Sequence, residues 1–162
     1  MRQIWAPWRM EYIKSPPPEE CIFCDKPGEE PRELLILYRD DLIGVMLNRY
    51  PYSNGHLLIY PLRHTPTVED ISREEGSRLF TLIQDSTAIL KEVYRPEGFN
   101  VGMNMGRSAG AGIEAHLHFH VVPRWSGDVS FMPLLAETKV IPEHLDDSYK
   151  ALSPFFQKLS IT

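Results

Sequence analysis

The chain has little cysteine, no basic excess and no long apolar run, and each shortage argues against a class of protein. Cys21 and Cys24 are the only cysteines in 162 residues, too few for a disulfide-stapled secreted scaffold. No stretch approaches the roughly 20 consecutive apolar residues that a membrane span needs. The opening "MRQIWAPWRMEYIK" places tryptophans and charges where a signal peptide has its apolar segment, so the expected compartment is the cytoplasm and no membrane partner is expected. Seventeen Lys and Arg against 22 Asp and Glu leave a formal charge of −5. A sequence-independent nucleic-acid binder needs a basic face to displace counterions from phosphates, so an anionic ligand would have to be met by a local site and no nucleic-acid partner is expected. Internal repeats are absent. With 43% hydrophobic and 24% charged residues the composition is that of a single domain with its own core.

What is present divides the chain. The Pro-Pro-Pro at 16–18 sets off an N-terminal arm from a compact body; arm and tract together take 1–20, and the domain with a helical tail takes 21–162. "LLILY" at 34–38 and "LIGVML" at 42–47 are short apolar runs split by a turn at "RDD", and "GHLLIYP" at 55–61 continues as a third strand. From Ser72 the period becomes helical through Leu79, Leu82, Ile83, Leu90, Val93 and Tyr94, with Ser72 and Glu75 placed for a capping box and Pro96 closing the helix. "NVGMNMG" at 100–106 and "AHLHFHVVP" at 115–123 read as two further strands, and a last helix is expected from Pro142 to Leu159. The sum is an α+β domain, an antiparallel sheet of about five strands with helices packed on one face.

The segment "EAHLHFHVVPR" puts His116, His118 and His120 on one side of an extended chain, with Leu117, Phe119 and Val121 on the other. At this chain's frequency of six histidines in 162 residues, such a run arises by chance in roughly one chain in a hundred. Three uses compete: satisfied structural histidines, a metal site made of all three, or nucleophilic catalysis by one imidazole held in one tautomer by its neighbours. The "CIFC" at 21–24 has the spacing of a zinc knuckle. A thioredoxin-like redox pair is the competing use, but "SPPPEE" and "DKPGEE" put loop on both sides, where that motif needs a strand and a helix. A zinc site needs four ligands, and with no further cysteine histidines must complete it.

"GAGIEAHLHFHVVPRW" resembles the signature of the histidine-triad nucleotide-binding superfamily. "LNRYPYSNGHLLIYPLRH" at 47–64 is similar to that family's second block, and "NVGMNMGRSAGAG" at 100–112 to the segment leading into the triad. The arm, the cysteine pair and the tail "VPRWSGDVSFMP" resemble the branch typified by bacterial diadenosine tetraphosphate phosphorylases.

The resemblance implies that His118 attacks the α-phosphorus of a nucleotide and is transiently nucleotidylated. It implies that His120 contacts phosphoryl oxygens and assists the leaving group, that His56 stands at the pocket edge, and that Asn104 touches the phosphate or bridging oxygen. Asn48 would meet the ribose, while Ile43, Leu47 and Phe23 would flank the base. Gly110 and Gly112, with Arg107, would bring donors to developing phosphate charge. The metal ligands implied are Cys21, Cys24, His64 and His116, holding a structural Zn2+. The expected substrate is a dinucleoside polyphosphate or related nucleotide, with phosphate or water as acceptor, and a homodimer is the expected assembly. The family's hydrolase branches place a Gln and a hydroxyl residue where this chain has Gly112-Ile113-Glu114-Ala115, so the resemblance assigns no leaving-group acid there. Rival uses are a nucleotide-binding scaffold without turnover and a purely metal-binding module. Trp5 and Trp8 of the arm are expected to pack with Trp125 beside a second nucleoside.

Overall fold

The computed structural model describes residues 21–24, 30–128 and 143–159. The arm with its two tryptophans, and Pro142 at the expected start of the last helix, lie outside these residues. The described strands are β1 (Ile36–Arg39), β2 (Ile43–Leu47), β3 (Leu57–Pro61), β4 (Gly98–Met103) and β5 (Phe119–Arg124). All pairings are antiparallel, in the order β1-β2-β3-β5-β4. Two helices, α1 (Arg73–Tyr94) and α2 (Leu145–Leu159), complete the expected α+β architecture. Neither is long and apolar enough to cross a membrane.

Local chemistry sets these boundaries. The β1–β2 turn is fixed by Asp40, whose Oδ1 accepts the amides of Leu42 at 2.8 Å and Ile43 at 2.7 Å. Helix α1 begins with both hydrogen bonds of the Ser72–Glu75 capping box and ends at Arg95, which turns left-handed just before Pro96.

Strand parity divides the sheet into two faces. Val45, Leu47, Leu57, Ile59 and Val121 meet Leu79, Leu82, Ile83 and Leu90 of α1 and Leu152 and Phe156 of α2 in one core. Met46, Leu58 and Tyr60 point the other way and pack with Phe23. Because Leu58 pairs with His120 in register, His120 shares that second face. Both helices cover one face, which leaves the other to the histidines.

The last strand starts later than the sequence reading places it, at Phe119 rather than Ala115. The reason lies in the backbone partners. Leu117 donates its amide to the Thr65 carbonyl at 2.7 Å, and the His116 carbonyl accepts from the His118 ring at 2.9 Å, so this lead-in does not join the β3 ladder.

Candidate active site

His118 is 5% exposed, and its imidazole lies between Phe23 and His120, with ring centroids 4.9 Å away on each side. Its Nδ1 lies 2.9 Å from the His116 carbonyl oxygen. A carbonyl can only accept, so Nδ1 carries the proton and the lone pair is on Nε2. Burial pushes the His118 pKa down and the carbonyl contact opposes it; the net direction favours the neutral ring that nucleophilic attack requires.

A second chain of contacts fixes His120. The Tyr52 amide donates to His56 Nδ1 at 3.0 Å, which makes that nitrogen an acceptor and puts the His56 proton on Nε2. His56 Nε2 lies 2.9 Å from His120 Nδ1 and donates to it, so a neutral His120 carries its own proton on Nε2. Burial, with the charge of His118 as a second cause, pulls the His120 pKa down to about 4. The pair therefore presents a lone pair on His118 and an N–H on His120. The Tyr52 ring stacks on His120 and lies tilted against His56, with centroids 5.8 and 4.7 Å apart. Sequence reasoning missed Tyr52; its signal was its place four residues before His56, in the turn that carries the amide.

Asn48 belongs to the same turn. Its Oδ1 accepts from the Tyr50 amide at 2.9 Å, and its Nδ2 lies 3.3 Å from His56 Nδ1. Asn104 stands with His120 on the wall of a cavity of about 450 Å³.

Two expected base contacts are placed elsewhere. Ile43 and Leu47 are fully buried on the helix face of β2, opposite the histidines; the strand residue that faces Phe23 is Met46, one step out of phase. Arg107 pairs with Glu114 at 3.0 Å with its side chain 90% exposed, a contact that satisfies its charge within the loop. The Gly110 amide is bonded to the Arg107 carbonyl at 2.9 Å, which leaves Gly112, exposed in the same loop, as the glycine amide to face an anion. Phe23 is where it was expected, 3% exposed and against the nucleophile ring.

The four expected metal ligands converge. Cys21 Sγ, Cys24 Sγ and one nitrogen each of His64 and His116 all lie within 4.8 Å of one another. Cys21 Sγ is 3.2 Å from His116 Nδ1, and Cys24 Sγ is 3.2 Å from His64 Nδ1. His116 Nε2 donates to the Pro61 carbonyl at 2.7 Å, so its lone pair is on the Nδ1 that faces the thiols. Two thiols and two imidazoles at this separation form a donor set for a tetrahedral cation. His144 stands apart and is exposed, as read from the sequence.

The sequence profile of the HIT domain matches residues 30–127. The chain belongs to the HIT domain family. Among the family's curated members it is 38% identical to the AP-4-A phosphorylase of Mycobacterium tuberculosis, over 94% of this chain and 83% of that protein. A histidine triad nucleotide-binding protein of Sulfolobus tokodaii superposes with a TM-score of 0.64 at 27% identity, covering 80% of this chain and 89% of that one. A zinc-bound histidine triad family protein of Mycobacterium smegmatis shares the fold, with a TM-score of 0.62 at 24% identity over 78% of this chain and 86% of that chain.

Proposed function

We propose that this HIT protein is an enzyme that cleaves dinucleoside polyphosphates of the diadenosine tetraphosphate kind through a covalent His118–AMP intermediate, with phosphate as the preferred acceptor. The observation that carries the reading is the pair of opposed tautomers, a lone pair on His118 Nε2 beside an N–H on His120 Nε2. His118 Nε2 attacks the α-phosphorus, forming a P–N bond as the bridging P–O bond breaks and ATP departs. His120 donates to the phosphoryl or bridging oxygen as its charge grows. Phosphate then attacks the same phosphorus, the P–N bond breaks, and ADP leaves with His118 neutral again. The 38% identity to the mycobacterial AP-4-A phosphorylase supports phosphate over water in this second step. Asn48 and Phe23 remain the proposed ribose and base contacts, with Asn104 and Gly112 at the phosphates.

The cysteine–histidine cluster fits Zn2+, held by Cys21, Cys24, His64 and His116. When bound, the ion supplies a structural cross-link between the segment that bears Phe23 and the approach to His118. A cytoplasmic homodimer is proposed as the working form, and exposed Phe80 on α1 and Val101 on edge strand β4 support pairing through those elements. The deciding experiment is incubation with diadenosine tetraphosphate, with and without phosphate, followed by identification of the nucleotides released. ADP and ATP in a phosphate-dependent reaction are expected. AMP and ATP at equal rates without phosphate would make the enzyme a hydrolase, and no cleavage would overturn the reading.

A further inference from the structure

The cavity beside His120 extends along the sheet away from the nucleophile. Its floor follows two paired strands, with Gly102 opposite His120 and Asn100 opposite Val122, and it reaches Arg124. From His120 to Arg124 this trough runs for about 13 Å at the usual rise per strand residue. A Cβ built on Gly102 meets nothing within 4 Å, so this glycine leaves the floor low beside His120. Tyr52 forms a wall at the His120 end.

The far end is polar but carries no uncompensated charge. Arg124 is bound by Asp128 through Nε at 2.5 Å and Nη2 at 2.9 Å. Its Nη1 donates to Asn100 Oδ1 at 2.6 Å, which fixes that amide and leaves Nδ2 as the donor lining the trough. A phosphate would need a free cation at this end. A flat, neutral ring with an acceptor nitrogen on its edge matches the site instead.

We infer that the trough is the subsite for the leaving nucleoside of the substrate, with its purine lying over Gly102 and Val122 and a ring nitrogen accepting from Asn100. This rests on the reading that His118 attacks and His120 faces the leaving oxygen. The phosphate chain continues past His120, and the space that opens there is the trough. Gly102 and Asn100 are then determinants of specificity for dinucleotides over mononucleotides.

The test uses the His118→Asn protein, which cannot turn over, and two probes that differ only in the second nucleoside: diadenosine tetraphosphate and adenosine 5′-tetraphosphate. The readout is the ratio of their dissociation constants by calorimetry. Diadenosine tetraphosphate should bind about tenfold tighter. Gly102→Val, which raises the floor, and Asn100→Ala, which removes the donor, should each bring the ratio toward one. The two variants act independently, so misfolding of one leaves the other decisive. A ratio near one before either substitution, or a ratio that neither variant changes, would overturn the subsite while leaving the proposed activity standing. Failure of both probes to bind would instead overturn the underlying nucleotide reading, and the subsite with it.

Discussion

A single imidazole has one proton and one lone pair, and in this site two carbonyl or amide contacts decide where they go. The His116 carbonyl sets His118, and the Tyr52 amide sets His120 through His56. The relay works only while His120 is neutral, because a proton on its Nδ1 would face the His56 N–H. With its pKa pulled from 6.5 to about 4 by burial and the neighbouring His118, His120 stays neutral well below the usual histidine range. Burial lowers the His118 pKa as well, so the rate of chemistry per folded molecule should hold level as pH falls through 6.5, its acid limb should lie below that value, and His120 should lose its role only as pH nears 4. An acid limb centred on 6.5 would contradict the relay. His56→Phe removes the donor to His120 and should lower kcat by roughly a hundredfold with a smaller change in KM, the scale of a lost acid–base contact. Single-turnover measurements separate this from a loss of substrate affinity.

Two local elements hold that geometry, and each can be tested on its own. Glu75 closes the start of α1. Its carboxylate takes Arg63 at 3.0 and 3.1 Å and the Ser72 amide at 2.8 Å, and the Arg63 hydrogen bond above all lowers its pKa from 4.5 to about 2. A carboxylate held below its unfolded value adds stability that is complete above pH 4.5 and is lost as pH falls toward 2. Glu75→Gln should thus cost about 1 kcal/mol at neutral pH, and the gap in melting temperature from wild type should close below pH 4.5. A gap that is constant with pH would show that the cap acts without its charge.

The metal cluster is the second element. Phe23 sits between Cys21 and Cys24 in sequence and packs on the His116 and His118 rings. The purified protein should hold about one equivalent of zinc by elemental analysis, and Cys24→Ser should lower the melting temperature by more than about 5 °C. A metal-free protein whose melting temperature chelation leaves unchanged would remove the ion from the account.

At the scale of the whole molecule, core and chemistry occupy opposite faces of one sheet. Phe156 and Leu152 are fully buried against the helix face, and α2 reaches the sheet through β1, away from the histidines. Phe156→Ala should cost about 3–5 kcal/mol of stability yet leave kcat near wild type wherever the protein remains folded. A parallel loss of kcat would show that the two faces are coupled.

This division also explains what the sequence made legible. The period of α1, its Ser72–Glu75 cap, the turn at Asp40 and the grouping of the histidines are local patterns and could be read directly. The misplacement of Ile43 and Leu47 was different, because which parity of β2 faces the histidines depends on pairing through β3 to β5, a relation no short stretch contains. The Arg107 pairing was not legible for a similar reason, since its partner Glu114 is set by the fold of the loop between them. The trough was illegible because it is made of what β4 lacks, a side chain at Gly102, and of an amide turned by a residue 24 positions away.

The central claim is a bond between His118 and an adenylyl group. Its most direct test is mass spectrometry of the protein mixed with diadenosine tetraphosphate and quenched at alkaline pH within one turnover, followed by mapping of the modified peptide. The expected result is one adenylyl group per active chain on the peptide that contains His118, discharged by added phosphate and absent from His118→Asn. Turnover without any adduct, or an adduct that survives in His118→Asn, would contradict the account.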